Sequence, residues 1–196
     1  RLTVDNHQVR LITARYPGSS KRETIDGIEI FRAGNRLTVY PRAVHTYFKY
    51  MSTWADMIID EMNTLPFAAG FYSRKKRVLL AYQLARKVWF YQAAFPVSYI
   101  GYALEPIYLF IMSLRYKTVL TESESSRKDF ERYGFRAKNT HVFRVGIDIE
   151  PLKELKQKNE TNTILILGAI RPMKQTLDGI KAFEDARDRN PRLNLK

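Results

Sequence analysis

Along this chain, short apolar runs rich in β-branched residues alternate with stretches in which apolar residues recur every three or four positions. The runs are QVRLITA (8–14), GIEIFRA (27–33), DMIID (56–60), RVLLAY (77–82), KTVLTE (117–122), HVFRV (141–145) and TILILG (163–168), and each predicts a strand. Several are almost continuously apolar, the pattern of strands covered on both faces of a parallel sheet. Helical patterns lie between them. Pro41 suits the first turn of a helix running through Ala43 to Met51, and Pro96 does the same for the apolar segment 97–114. SESSRKDFERYG predicts a helix capped by Ser123 or Ser125 and closed by Gly134, with Phe130 and Tyr133 turned inward. A last helix, 174–189, stops before Asn190 and Pro191. Strand and helix in alternation predict an α/β fold, doubly wound on a Rossmann-like parallel sheet.

The pattern breaks once, at EPLKELKQKNETN, which is polar, charged and without a clear strand. That segment divides the chain into a first domain (1–149), a linker (150–162) and the opening β-α-β of a second domain (163–196). No internal repeat or low-complexity tract interrupts this layout.

Composition adds one fact that changes the picture. The balance of 45% hydrophobic and 27% charged residues in 196 is that of an ordinary globular chain, but the formal net charge is +13 and the pI about 9.9. Such an excess favours polyanionic partners: nucleic acid, phosphorylated ligands or an anionic membrane face. The chain has no cysteine, which excludes disulfides, thiolate catalysis and Cys-ligated metal and suits an intracellular setting. The opening RLTVDNHQV lacks a charged leader and an apolar core, so no signal peptide is expected. The segment 97–114 carries Glu105 and Pro106 in its middle, whereas a spanning helix needs about 20 apolar residues with few charges. It is expected to be a buried or interfacial helix.

Three constellations could carry chemistry. In TILILGAIRPMKQTLDGI an apolar strand opens onto Gly168, and Arg171 and Lys174 follow before a helix. A glycine lets backbone approach a phosphate, cations of different reach neutralise it, and a helix N-terminus adds unpaired N–H groups. The plain alternative is a strand-to-helix turn with surface cations. In DEMNTLPF, at a strand end, Asp60, Glu61 and Asn63 could bind hydroxyls or divide acid and base roles, or simply cap a loop. In AYQLARKVWFYQ, Tyr82 and Gln83 leave a strand and Arg86, Lys87, Trp89, Phe90 and Tyr91 follow. That mixture suits a sugar, a base or a lipid headgroup, or a loop pinned by its own rings. His7, His45 and His141 show no metal-ligand spacing, and no GxSxG elbow supports serine hydrolase chemistry.

The order LITARYPG, IDGIEIFR, DMIIDEMNTLPF, LTESESSRKDFERYGF, FRVGIDIEPL, LGAIRPMKQTLDGIKAF resembles a family 4 glycosyltransferase of the GT-B fold, over essentially the whole chain. The resemblance implies two Rossmann-like domains, the first on the acceptor side and the second binding a nucleotide-sugar donor. It implies retaining, metal-independent transfer to a sugar, lipid-linked or other hydroxyl acceptor, with no cofactor beyond the donor substrate. VGID (145–148) marks the passage between domains in that family. Gly168 matches its glycine and Lys174 its lysine, while Ala169 stands where the family has arginine, leaving Arg171 as the candidate replacement. Tyr82 and Gln83 stand where many relatives place a histidine, and a phenol of ordinary pKa is a poor base near neutral pH. The family also has an earlier strand with a Gly-rich loop and later donor-site glutamates that are not in this chain, so the chain taken alone is expected not to turn over. The expected setting is the cytoplasm, with attachment to the inner face of the membrane as a companion. The competing function is a basic α/β nucleic-acid-binding or noncatalytic interaction domain. SRKKR (73–77) motivates it, and no recognition signature supports it.

Overall fold

Each of the seven apolar runs overlaps a strand. The computed structural model describes residues 2–143, 146 and 162–195. Its elements are β1 (Val9–Thr13), β2 (Arg22–Ile25), β3 (Ile28–Arg32), α1 (Val39–Tyr50), β4 (Met57–Met62), α2 (Ala69–Tyr72), β5 (Lys76–Ala81), α3 (Trp89–Gln92), α4 (Val97–Arg115), β6 (Val119–Thr121), α5 (Glu124–Glu131), β7 (Thr140–Val142), β8 (Asn162–Ile164), α6 (Thr176–Arg189) and β9 (Leu193–Leu195). They fall into two units, residues 1–85 with 103–144, and residues 86–102 with 145–196.

The first unit holds two sheets rather than the one continuous parallel sheet expected. In the four-stranded sheet the order is β4-β5-β6-β7, all parallel. The helix α4 connects β5 to β6 and α5 connects β6 to β7, which is the βαβ arrangement that the alternation of patterns predicted. Leu79 and Val119 are fully buried between the strands and the helices, and they meet Leu109 and Met112 of α4 and Phe130 of α5. Phe130 points inward because Ser123 caps α5, its hydroxyl accepting the N–H of Ser126 at 3.1 Å, and so sets where the helical period begins.

The three-stranded sheet has the order β1-β3-β2. Here β1 and β3 are parallel, and β2 runs antiparallel to β3. The hairpin turns at Asp26 and Gly27, with φ of 52° and 78°. Left-handed conformation at both central positions gives the turn whose twist matches the flanking strands, and Asp-Gly is its signature. The strand Arg22–Ile25 escaped prediction because it lies at the sheet edge and only Ile25 in it is apolar. The helix α1 holds the two sheets in one unit: its Tyr47, and Met51 just after it, pack with Phe31 of β3, with Ile12 of β1 and Ile58 of β4 alongside.

In the second unit β8 and β9 pair in parallel around α6, as the opening β-α-β predicts. The strand β8 stops at Ile164 instead of continuing to Gly168. Beyond it Leu165, Leu167 and Ile170 are exposed and join no strand among the described residues. Nor does α6 begin at Lys174: Pro172–Lys174 form a single 3-10 turn, and Gln175 at φ 50° separates it from the helix. In the segment 86–102 of the same unit, Trp89 packs so closely on Gly101 that a β-carbon there would lie 2.5 Å from the indole. The ring of Phe90 meets Tyr99 and Tyr102 at 5.0 and 5.2 Å. These rings therefore fasten the segment to the first turns of α4. The predicted linker 150–162, apart from Asn162, and the VGID segment, apart from Gly146, lie outside the described residues.

Candidate functional site

In a parallel sheet the loops that leave the carboxyl ends of neighbouring strands lie side by side, and ligands bind there. The register of the four-stranded sheet sets Met62 opposite Ala81 and Leu80 opposite Leu120. Asn63, Tyr82 and Glu122 thus leave three adjacent strands at one edge, with Glu61 just inside it. Tyr82 shows that the side chains meet. Its phenol is held above its ordinary pKa, first by burial and then by the charges of Glu61 and Glu122, and it is hydrogen-bonded to Glu61. At neutral pH it is therefore a neutral phenol and no proton acceptor of consequence. Asn63, Gln83, Glu61 and Glu122 are exposed at this edge. Glu122 was missed by sequence reasoning; pairing strand ends by register is the signal that finds it.

Asp60 has a different place. Its side chain is buried, with only 2% of the residue exposed, and both carboxylate oxygens are occupied: Phe67 N–H donates to Oδ1 at 3.0 Å, Ala69 N–H to Oδ2 at 2.7 Å, and the Tyr116 hydroxyl also to Oδ2. Tyr116 in turn accepts the Gly70 N–H at 2.8 Å, and Tyr108 donates to the Thr64 carbonyl at 2.8 Å. Burial raises the pKa of Asp60, although these three donors oppose the shift. The phenol of Tyr116 is raised too, by burial and by the facing carboxylate. Asp60 is thus the clasp of the loop that carries Asn63, and of the two alternatives read from DEMNTLPF it takes loop capping.

A second feature lies at the carboxyl ends of β1 and β3, where an open cleft of about 650 Å³ is lined by Arg15, Lys21, Arg32 and Arg42 together with the YPGS turn. No carboxylate among the described residues lines it. Arg32 is committed: its side chain is 7% exposed and paired with Glu23, and its guanidinium lies 5.1 Å from the Tyr16 ring centroid. Among the described residues, Arg15, Lys21 and Arg42 have no ion-pair partner. The YPGS turn closes with Ser19 N–H on the Tyr16 carbonyl at 3.0 Å and Gly18 at φ 79°. Sequence reasoning counted these cations only in the total, because two loops bring them together.

In the second unit Gly168, Arg171 and Lys174 are all exposed, between β8 and α6. A β-carbon built on Gly168 would meet nothing within 4 Å, and its φ is not in the left-handed region. Nothing among the described residues therefore requires glycine at 168. Arg171 is the residue from which the 3-10 turn starts, and its carbonyl accepts the Lys174 N–H at 2.9 Å. One short turn thus carries both cations. Among the described residues no three potential ligands cluster for a metal ion. Compared with models of known protein families and with curated proteins, the chain matches none.

Proposed function

We propose that this chain is part of a nucleotide-sugar-dependent glycosyltransferase, with the acceptor on the first unit and the donor diphosphate on the second. The observation that carries the reading is the exposed glycine at 168 beside the Arg171–Lys174 turn. Backbone that is open without any need of the fold, next to two exposed cations, is what a diphosphate uses. In sugar transfer the leaving nucleoside diphosphate gains negative charge, and fixed cations stabilise it as it forms. On the acceptor side, Glu61, Asn63, Tyr82 and Gln83 present carboxylate, amide and phenol groups suited to hydroxyls, with Tyr82 orienting rather than abstracting a proton. The order of motifs and the parallel βαβ sheet agree with this reading. Retention of configuration and independence of metal belong to the same proposal.

Titration of the chain with nucleoside diphosphates and nucleotide sugars, followed by NMR shifts, tests it. Lys174→Ala and Arg171→Ala are each expected to weaken the diphosphate by about tenfold, the usual worth of one charge-assisted hydrogen bond. Unchanged affinity in both would remove the donor assignment. Tight binding of duplex DNA with a steep salt dependence would instead favour the nucleic-acid reading that the net charge also supports.

A further inference from the structure

The helix α4 is apolar on two sides. One side, with Glu105, Leu109 and Met112, is buried, and at Leu109 and Met112 it packs against the four-stranded sheet. The other, within the first unit, carries Leu104, Ile107, Ile111 and Leu114, each 38% or more exposed. Their spacing of three and four in alternation places them on one continuous stripe of the helix. Exposed apolar side chains scattered singly need no explanation, but a stripe along about three turns marks a surface that is covered in use.

The helix is long and apolar enough to cross a membrane by length and composition. Its position excludes that use, because α4 is the crossover between the parallel strands β5 and β6 and its inner side completes their core. It can only lie flat on a surface.

Charge identifies the surface. From residue 68 to residue 117 the sequence holds eight cations, Arg74, Lys75, Lys76, Arg77, Arg86, Lys87, Arg115 and Lys117, and a single acid, Glu105. Glu105 is 1% exposed and its carboxylate accepts the Ala85 N–H at 2.7 Å. Every exposed charge in this span is therefore positive. The basic corner 74–77 is fixed beside the end of the helix: Arg77 donates to the Arg115 carbonyl at 3.2 Å, and the Arg115 guanidinium lies 5.1 Å from the ring centroid of Phe71, itself 52% exposed. A second copy packed on the stripe would add cations without a counter-charge. A leaflet of anionic lipid accepts the apolar side chains among its acyl chains and meets the cations with phosphates, as interfacial helices with basic flanks do.

We propose that the outer side of α4, with the basic corner Arg74–Arg77, is a docking surface for anionic membranes. The inference stands on the exposed stripe and its charge and does not depend on the glycosyltransferase reading. Co-sedimentation with vesicles tests it, using phosphatidylcholine with and without phosphatidylserine. The chain is expected to bind the anionic vesicles and to release them at high salt. R74Q/K75Q/K76Q should weaken binding by about 100-fold, since each cation near a charged leaflet contributes a factor of roughly five. The exposed pair I107Q/L114Q should abolish it while circular dichroism stays unchanged. Equal binding to neutral vesicles, or binding indifferent to I107Q/L114Q, would overturn the proposal. So would a concentration-dependent dimer that I107Q/L114Q dissolves, which would make the second copy the occupant.

Discussion

Tyr116 and Asp60 show what a single contact decides. A carboxyl raised in the fold holds its proton more tightly there than in the unfolded chain. Its contribution to stability is full below the unfolded value near 3.8 and is lost as pH rises through the folded one. Tyr116→Phe removes the hydroxyl that favours the ionised form and leaves the Gly70 N–H without an acceptor. The Asp60 pKa should rise further, and stability should fall by about 2 kcal/mol. The deficit should grow as pH rises, because the lost donor serves carboxylate better than acid. Carboxyl carbon NMR and thermal melts across the acid range check both. Glu61→Gln should bring Tyr82 back toward the ordinary phenol value of about 10, by removing one charge and leaving a weaker, uncharged acceptor for its hydroxyl. Ring-carbon shifts of Tyr82 that do not move with this change would contradict the meeting of β4 and β5 at the site.

Two glycines separate structure from function among the elements. Gly101 gives room to the Trp89 ring, so Gly101→Ala forces the indole aside and should cost about 1–3 kcal/mol, seen as a lower melting temperature and altered indole fluorescence. Gly168 faces open space with ordinary φ, so Gly168→Ala should leave stability unchanged or raise it by about 0.5 kcal/mol. The same change should weaken diphosphate binding if the backbone there is approached closely, and calorimetry with a nucleoside diphosphate reads it. Both glycines were visible in the sequence, but only the neighbouring ring and the empty space give them different meanings.

For the molecule, the unusual quantity is charge without counter-charge. Arg15, Lys21 and Arg42 gather at one cleft although like charges repel, and among the described residues no carboxylate lines that cleft. Substituting all three by Gln should raise the melting temperature at low ionic strength and leave it nearly unchanged in high salt, where screening already suppresses the repulsion. Melting curves at two salt concentrations decide this. A loss of stability at low salt would mean that the three cations hold the loops rather than await an anion. An anionic ligand at the cleft would give the cluster its reason, as lipid would for the cations around α4.

The sequence by itself located most of the elements: seven strands marked by apolar runs, α5 by its Ser123 cap, and α4 by an apolar segment with charge and proline inside it. Local chemistry suffices for these because period, caps and turns act over a few residues. It also determined the net charge and the chemistry available in each loop. Tertiary structure alone decided the separation of β1 and β4 into different sheets, the burial of Asp60 against Tyr116, the grouping of Glu61, Tyr82 and Glu122, and the outward stripe of α4. Each depends on which residues distant in sequence come to share a neighbourhood. Asp60 and Tyr116 are 56 positions apart, and nothing in either local pattern records the other. An acid whose strand-end motif allows either a hydroxyl-binding role or a loop cap became a clasp because a phenol from the end of a distant helix closed over it.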